Sequence, residues 1–416
     1  MNSSQSQDQS QNNGPNNGQN NPAERRKQWP RPLGLHLTSA MFYSQNWPAV
    51  SNSFTNAWSA WKPNSNGSSV GFDFPFADSA FLHAATSAGL NEFQTWLSGV
   101  EAYQNAPPYT PMPSVLSVWQ SGSTQVFDYT TASTGNPDTV IIVLPSLINK
   151  STVLDLLPDV SLLRTMAQHH AVWLLDWGMP AADERTFAVD DYITQRVLPV
   201  IGEARARHKK VLLLGYCMGG LMALAGAACT KVDGLMLLAT PWDFYAYPMP
   251  ARVGLAQLAA GFQPWLQAGH PMTIDMLQMM FALLQPMAVF DKFKKVARDG
   301  CDATFAALED WLNDGVELPA KVAQTCLMDW FQNNSTYAGD WSVGGQAVHP
   351  QTITAPALLM VPDNDRIVPA AAALPLADFI PNTELRRVLL GHVGMIVSRA
   401  GQKTVWPQLV DFANHV

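Results

Sequence analysis

Followed from one end to the other, the apolar positions change rhythm several times. Residues 1–28 are rich in Asn, Gln, Ser and Gly and show no apolar pattern. Such a stretch buries too little surface to order itself, so a disordered tail is expected. Residues 29–113 differ. Phe81, Ala84, Ala85, Leu90 and Phe93, Trp96, Leu97, Val100 fall at helical spacing, with Pro-rich joints at 107–113, and predict a small, mostly helical N-terminal region. Leu35–Met41 and Phe42–Trp47 carry apolar groups that either pack on the core or meet a partner or lipid-like surface.

From Ser114 the rhythm becomes that of strands alternating with helices, which implies a mostly parallel sheet. Val115–Val118 and Thr124–Tyr129, separated by Gln-Ser-Gly-Ser, predict a hairpin. Val140–Leu144 and Ala171–Leu175 predict buried strands, with a helix over Leu154–Gln168 between them and another over Asp190–Ala206. Val211–Gly215 and Gly234–Ala239 predict two more strands, so residues 114–244 form the first part of an α/β core. The alternation then stops. Residues 245–348 hold helical patterns and few strands, with Pro248, Pro250, Pro264, Pro271 and Pro286 among them, an insertion long enough to form a cap. Strands resume at Ala357–Val361 and Leu385–Leu390, and Val405–His415 is the last helix, so residues 349–416 complete the core.

Composition supports this picture. With 416 residues, 47% hydrophobic and 14% charged, the chain has ample core for one large domain with an excursion, or for two small domains. A net charge of −8 gives no reason to expect nucleic-acid binding. Residues 1–28 contain no apolar h-region, so they are not expected to be a secretory signal. The 4 cysteines lie far apart without metal-binding spacing, so neither disulfides nor a metal site is expected, and a reducing cytoplasm fits. The 14 Trp and 17 Met suggest either a large core or an apolar tunnel.

The candidate chemistry centres on Val211-Leu-Leu-Leu-Gly-Tyr-Cys-Met-Gly-Gly220. A short apolar run leads through G-x-C-x-G-G into the Ala- and Leu-rich Leu221–Ala228. This is a nucleophile elbow with cysteine in the serine position. Gly215 and Gly219 relieve the crowding of so tight a turn, and the following helix presents its positive end to Cys217. Two plainer readings compete. A cysteine is often only a small buried hydrophobe, and Val211–Thr230, twenty residues without a charge, is long enough to cross a bilayer. The glycines and the surrounding βα alternation favour the elbow. A thiol nucleophile needs a base, and the base an orienting acid. His392 follows the strand Leu385–Leu390, where sites of open α/β sheets lie, and is the candidate base. For the acid, Asp363, Asp365 and Asp243 all end strands.

At these positions the chain resembles the polyhydroxyalkanoate synthases. Val211–Gly220 is similar to their cysteine lipase box, and Pro145-Ser-Leu-Ile-Asn-Lys-Ser-Thr-Val-Leu-Asp-Leu156 to P-x-x-I-N-K-x-x-x-L-D-L. Asp176-Trp-Gly-Met-Pro180 and Asp190-Asp-Tyr-Ile193 match D-W-G-x-P and D-D-Y-I. Ala307-Leu-Glu-Asp-Trp-Leu-Asn-Asp314 and Gly391-His-Val-Gly-Met-Ile-Val-Ser398 look most like class III subunits. Asp365-Arg-Ile-Val-Pro369 aligns with D-H-x-V-P, so the resemblance places the acid at Asp365; Arg366 stands where the family usually has histidine.

The resemblance implies an α/β-hydrolase fold with a helical cap and an acyltransferase that polymerises 3-hydroxyacyl-CoA through an acyl group on Cys217, releasing CoA. His392 is then the base, Asp365 orients it, and the backbone N–H groups of Met218 and Ile148 hold the oxyanion. No cofactor beyond the CoA thioester substrate is implied. The expected partners are the growing polyester, the polymer granule surface in the cytoplasm, and a second copy of the chain or an accessory synthase subunit. A cysteine-dependent thioesterase or depolymerase-like hydrolase on the same scaffold is the alternative, and a granule-binding protein with a relict site a third reading.

Overall fold

The computed structural model describes Pro30, His36 and residues 79–107, 112–285 and 288–416. The expected tail at 1–28 and the apolar stretches at 35–47, His36 excepted, lie outside the described residues. The first long element, α1 (Ser79–Gln104), is the helix expected from the apolar spacing around Trp96.

An eight-stranded sheet follows. Its first strands, β1 (Leu116–Ser121) and β2 (Thr124–Asp128), pair antiparallel as the predicted hairpin. Next comes β3 (Asn136–Leu144), buried from Thr139 on. The helix expected over Leu154–Gln168 is only half there. After a single turn at Ser151–Leu154 the chain makes a small ribbon, β4 (Asp155–Leu157) with β5 (Val160–Ser161), and only α2 (Leu162–Ala167) is helical. Pro158 would leave a helix interior short of a hydrogen bond and Asp159 favours a turn, while the Ser161 hydroxyl caps α2 by accepting from the Arg164 N–H at 3.0 Å.

β6 (His170–Asp176) precedes α3, which runs through Val189–Tyr192, a π-turn at Ile193–Val197, and Leu198–Arg207. Pro199 has no N–H to give, and the Gln195 carbonyl is taken instead by the Arg196 guanidinium at 3.0 Å. At the start of α3 Asp191 caps by accepting from the Ala188 N–H at 2.8 Å, while Asp190 ties the helix to a distant loop by accepting from the Gly344 N–H at 2.6 Å.

The uncharged stretch from Val211 to Thr230 splits into β7 (Lys210–Tyr216) and α4 (Met218–Cys229). Both are buried nearly throughout, the strand because it lies mid-sheet with parallel neighbours and the helix because it is apolar all round. No described helix is long and apolar enough to cross a membrane.

After β8 (Gly234–Leu238) come α5 (Met249–Gln267), α6 (Ile274–Leu284), α7 (Ala288–Asp299), α8 (Ala303–Asn313) and α9 (Ala320–Gln324). A π-turn at Thr325–Gln332 continues α9, and a hairpin of β9 (Ser342–Val343) and β10 (Gln346–Ala347) follows. β11 (Ala357–Pro362) then returns to pair parallel with β8, so everything between the two is an excursion from the sheet. β12 (Thr383–Val388) and α10 (Trp406–His415) close the chain.

The strand order is β1-β2-β6-β3-β7-β8-β11-β12. Only β2 runs against the others, pairing antiparallel with both β1 and β6. Strand residues alternate between two faces: Val140, Ile142 and Leu144 meet α3 and α4, while Ile141 and Val143 meet α2 and α10. The carboxyl ends of β3, β7, β11 and β12 therefore meet along one edge.

Candidate active site

Cys217 sits between β7 and α4 with φ 57° and ψ −126°, a strained conformation for a residue with a side chain. Neighbouring elements hold it there. Its N–H donates to the Leu238 carbonyl at 2.9 Å, and its own carbonyl accepts from the Gly220 N–H at 2.9 Å. A Cβ on Gly215 would lie 2.4 Å from the Gly220 Cα, and one on Gly219 only 2.0 Å from the Leu144 carbonyl oxygen. Gly220 is as constrained, since a Cβ would come within 1.8 Å of the Thr240 hydroxyl. The first turn of α4 thus lies flush against the ends of β3 and β8, and its axis points at the cysteine.

Of the three acids that end strands, one reaches the histidine. Asp365 Oδ2 lies 2.7 Å from His392 Nδ1, and its other oxygen accepts the Ile367 and Val368 N–H groups, both at 2.8 Å. The Asp365 side chain is wholly buried and that of His392 is 9% exposed. Asp363 instead accepts from Arg387 Nε at 2.8 Å. Asp243 holds a loop, accepting from the Tyr245 N–H at 2.9 Å and the Asn334 amide at 2.8 Å.

Burial by itself would lower the pKa of His392. The charge of Cys217 and the charge and hydrogen bond of Asp365 outweigh it, raising the imidazole to about 10. Cys217 and Asp365 thus both favour the protonated form of the ring.

Tyr216, which the sequence reading passed over as a spacer in the motif, braces the base. Its ring stacks on His392 with centroids 5.0 Å apart, and its hydroxyl donates to the His392 carbonyl at 3.2 Å.

Cys217 and His392 open into a cavity of about 120 Å3. Its floor is the loop from Pro145 to Lys150, and its roof includes Gln278 and Phe281 of α6 and Trp311 and Leu312 of α8. The roof is fastened to the floor, for Trp311 Nε1 donates to the Lys150 carbonyl at 2.7 Å and Lys150 Nζ to Asp314 at 2.6 Å. Trp177, from the Asp-Trp-Gly segment, props the floor by donating to the Pro145 carbonyl at 3.0 Å. Asn149 takes φ 71°, a left-handed conformation that asparagine tolerates better than most residues.

The two expected oxyanion donors differ in their surroundings. Met218 is the first residue of α4, where N–H groups have no carbonyl within the helix to bond. The Ile148 N–H donates to Ser146 Oγ at 3.1 Å, and Ile148 lines the same cavity as Cys217.

Comparison with known proteins agrees with this architecture. The model of the alpha/beta hydrolase family matches residues 154–405. The chain is 27% identical over 319 residues to the poly(3-hydroxyalkanoate) polymerase subunit PhaC of Haloferax mediterranei, covering 71% of this chain and 62% of that protein. It is 26% identical over 299 residues to the protein of the same name from Haloarcula marismortui, covering 66% and 60%. With that of Allochromatium vinosum the identity is 27% over 293 residues, covering 66% and 80%. The chain thus spans less than two thirds of the length of the two archaeal relatives. The resemblance carried by the motifs extends well beyond them, and the family model covers more than half of the chain. The chain belongs to the alpha/beta hydrolase family, and within it is similar to the poly(3-hydroxyalkanoate) polymerases.

Proposed function

We propose that this chain is an acyltransferase of the polyhydroxyalkanoate synthase kind, which polymerises 3-hydroxyacyl groups from their CoA thioesters. The observation that carries the reading is a cysteine at the nucleophile elbow beside a histidine bound to a buried carboxylate.

In the proposed cycle His392 holds the proton of Cys217, and the thiolate attacks the thioester carbonyl carbon of 3-hydroxyacyl-CoA. The oxyanion is received by the Met218 N–H at the positive end of α4 and by the Ile148 N–H, which gives up Ser146 Oγ to do so. Collapse breaks the carbon–sulfur bond to CoA, and His392 returns the proton to the departing thiolate. The acyl group remains a thioester, so its activation is kept. His392 then takes the proton of the 3-hydroxyl that attacks this thioester, forming the ester bond and restoring the thiolate. Asp365 keeps Nδ1 protonated and Nε2 turned to the sulfur. A roof of Phe281, Trp311 and Leu312 limits access of water to the acyl-enzyme. The working place proposed for the chain is the cytoplasm, at the surface of polymer granules, as a dimer or with an accessory subunit.

The test is purified protein with 3-hydroxybutyryl-CoA, alone and with any accessory subunit encoded nearby. CoA release accompanied by insoluble polyester is expected. Release matched one for one by free 3-hydroxybutyrate, without oligomers, would replace this reading with that of a cysteine-dependent thioesterase.

A further inference from the structure

Behind the cavity at Cys217 lies a second one of about 70 Å3. The two share Ile148 and Phe281, which form the partition between them. The second chamber is lined by apolar side chains and one thiol, that of Cys326. Its walls come from α5, α6 and the π-turn that continues α9, where the wide turn carries Cys326, Leu327 and Phe331. Such turns are rare and recur at functional sites. A chamber without polar groups has nothing to hold water and stays dry, so its walls lack partner atoms until something apolar fills it. It also lies near the reacting sulfur. Burial pushes the Cys326 thiol up to about 12, and the charges of Asp329 and Cys217 add to that shift.

We propose that this chamber is the subsite for the alkyl substituent on C3 of the acyl group bound to Cys217, and that Phe281 and Ala323 set the length it accepts. The inference rests on the acyl-transfer reading above. C3 is two bonds from the thioester carbonyl, so a substituent there meets the walls immediately around Cys217. Of those walls, Phe281 and Ile148 are the ones backed by further empty apolar space. The size sets the class of substrate. An apolar cavity of roughly 150 Å3 takes the six carbons of benzene, so this one takes about three. Methyl, ethyl and propyl substituents fit, and a heptyl chain does not.

The experiment uses the full chain and measures CoA release and the mass of the acyl group on Cys217, neither of which requires polymer. The substrates are 3-hydroxybutyryl-, 3-hydroxyvaleryl-, 3-hydroxyhexanoyl- and 3-hydroxydecanoyl-CoA. The first three are expected to acylate Cys217 with similar kcat/KM, and the fourth at least about tenfold less well, the scale on which apolar pockets discriminate. Ala323→Val, which adds bulk inside the chamber, is expected to cut the hexanoyl-to-butyryl ratio about tenfold. Phe281→Ala, which opens the partition, is expected to raise the decanoyl-to-butyryl ratio by a similar factor. Thermal melting separates these shifts from loss of fold, and if Ala323→Val does not fold, Phe281→Ala decides. Acylation with a chain-length profile that neither variant moves overturns the chamber assignment while leaving acyl transfer standing. Absence of CoA release from all four thioesters removes the functional reading and this inference together.

Discussion

At the scale of single residues, the acid was the least settled member of the triad in the sequence, because three aspartates end strands near the site. Spacing alone cannot separate Asp363 from Asp365. Two residues along an irregular loop change which way a carboxylate faces, and that depends on contacts far away in the chain. In the folded protein Arg387 and Asn334 occupy the two rivals. Replacing Asp365 by Asn is therefore expected to lower kcat/KM by up to about 10⁴, the scale of loss when a triad acid becomes an amide. Asp363→Asn breaks only a partly exposed pair and should stay within about twofold. Kinetics with a soluble acyl-CoA read the difference directly, and the reverse order of sensitivity would move the acid role away from Asp365.

The histidine supplies a second expectation. Burial works against its charge, and Cys217 is the leading influence raising it toward about 10. Cys217→Ser removes that influence at neutral pH and should bring the imidazole titration, followed by NMR, down by more than a unit. The raised pKa also has a sign for stability. The contribution is fully present below the unfolded value near 6.5, and declines as pH rises toward about 10. A His392 titration that is the same in both proteins would mean that the thiol does not sustain the cation.

Among the elements, strands and helices that bury one continuous apolar face were legible, because burial and periodicity are the same fact seen twice. β3, β6, β7, β8 and β11 all fall where four or more apolar residues run together. The segment from Leu154 to Gln168 was not legible, since its apolar residues suit either a helix or a ribbon packed on the sheet, and a single proline decides. The elbow shows how close packing, more than helix propensity, dictates glycine. Gly219→Ala must displace the backbone of Leu144, and Gly220→Ala must displace Thr240. Each should cost several kcal/mol or yield protein that does not fold, well above the intrinsic helix gain of about 1 kcal/mol for alanine over glycine. Gly202 in α3 is the control: nothing lies within 4 Å of its missing Cβ, so Gly202→Ala should stabilise by about 0.5–1 kcal/mol in urea unfolding. Equal losses at all three positions would refute the packing account.

For the whole molecule, the sequence conveyed the layered sheet and the helical excursion but not how the excursion is fastened. The bonds from Trp311 to Lys150 and from Lys150 to Asp314 join residues more than 150 positions apart, which no local pattern announces. Acid stability follows from another long-range contact. His170 is buried at the start of β6 beside α10, and burial lowers its pKa. The unfolded chain therefore binds a proton there before the native one does. Stability should fall as pH drops below about 6.5, by at most about 1.4 kcal/mol per pH unit from this residue, until the native pKa is passed. His170→Phe should flatten that limb of the melting curve, and an unchanged acid limb would count against His170. A further consequence follows from where α1 lies. Its contacts are chiefly with α7: Gly99 lies flush against the Phe293 backbone, Trp96 and Tyr103 bury their rings around Phe293, and Tyr103 donates to Asp310 of α8 at 2.6 Å. The helix α1 is thus bolted to α7 and to α8, and α8 gives Trp311 and Leu312 to the roof of the cavity. Mechanically it is a handle: a tug on α1 is delivered to the element that carries Trp311, in the wall of the nucleophile's own cavity, without first disturbing the sheet.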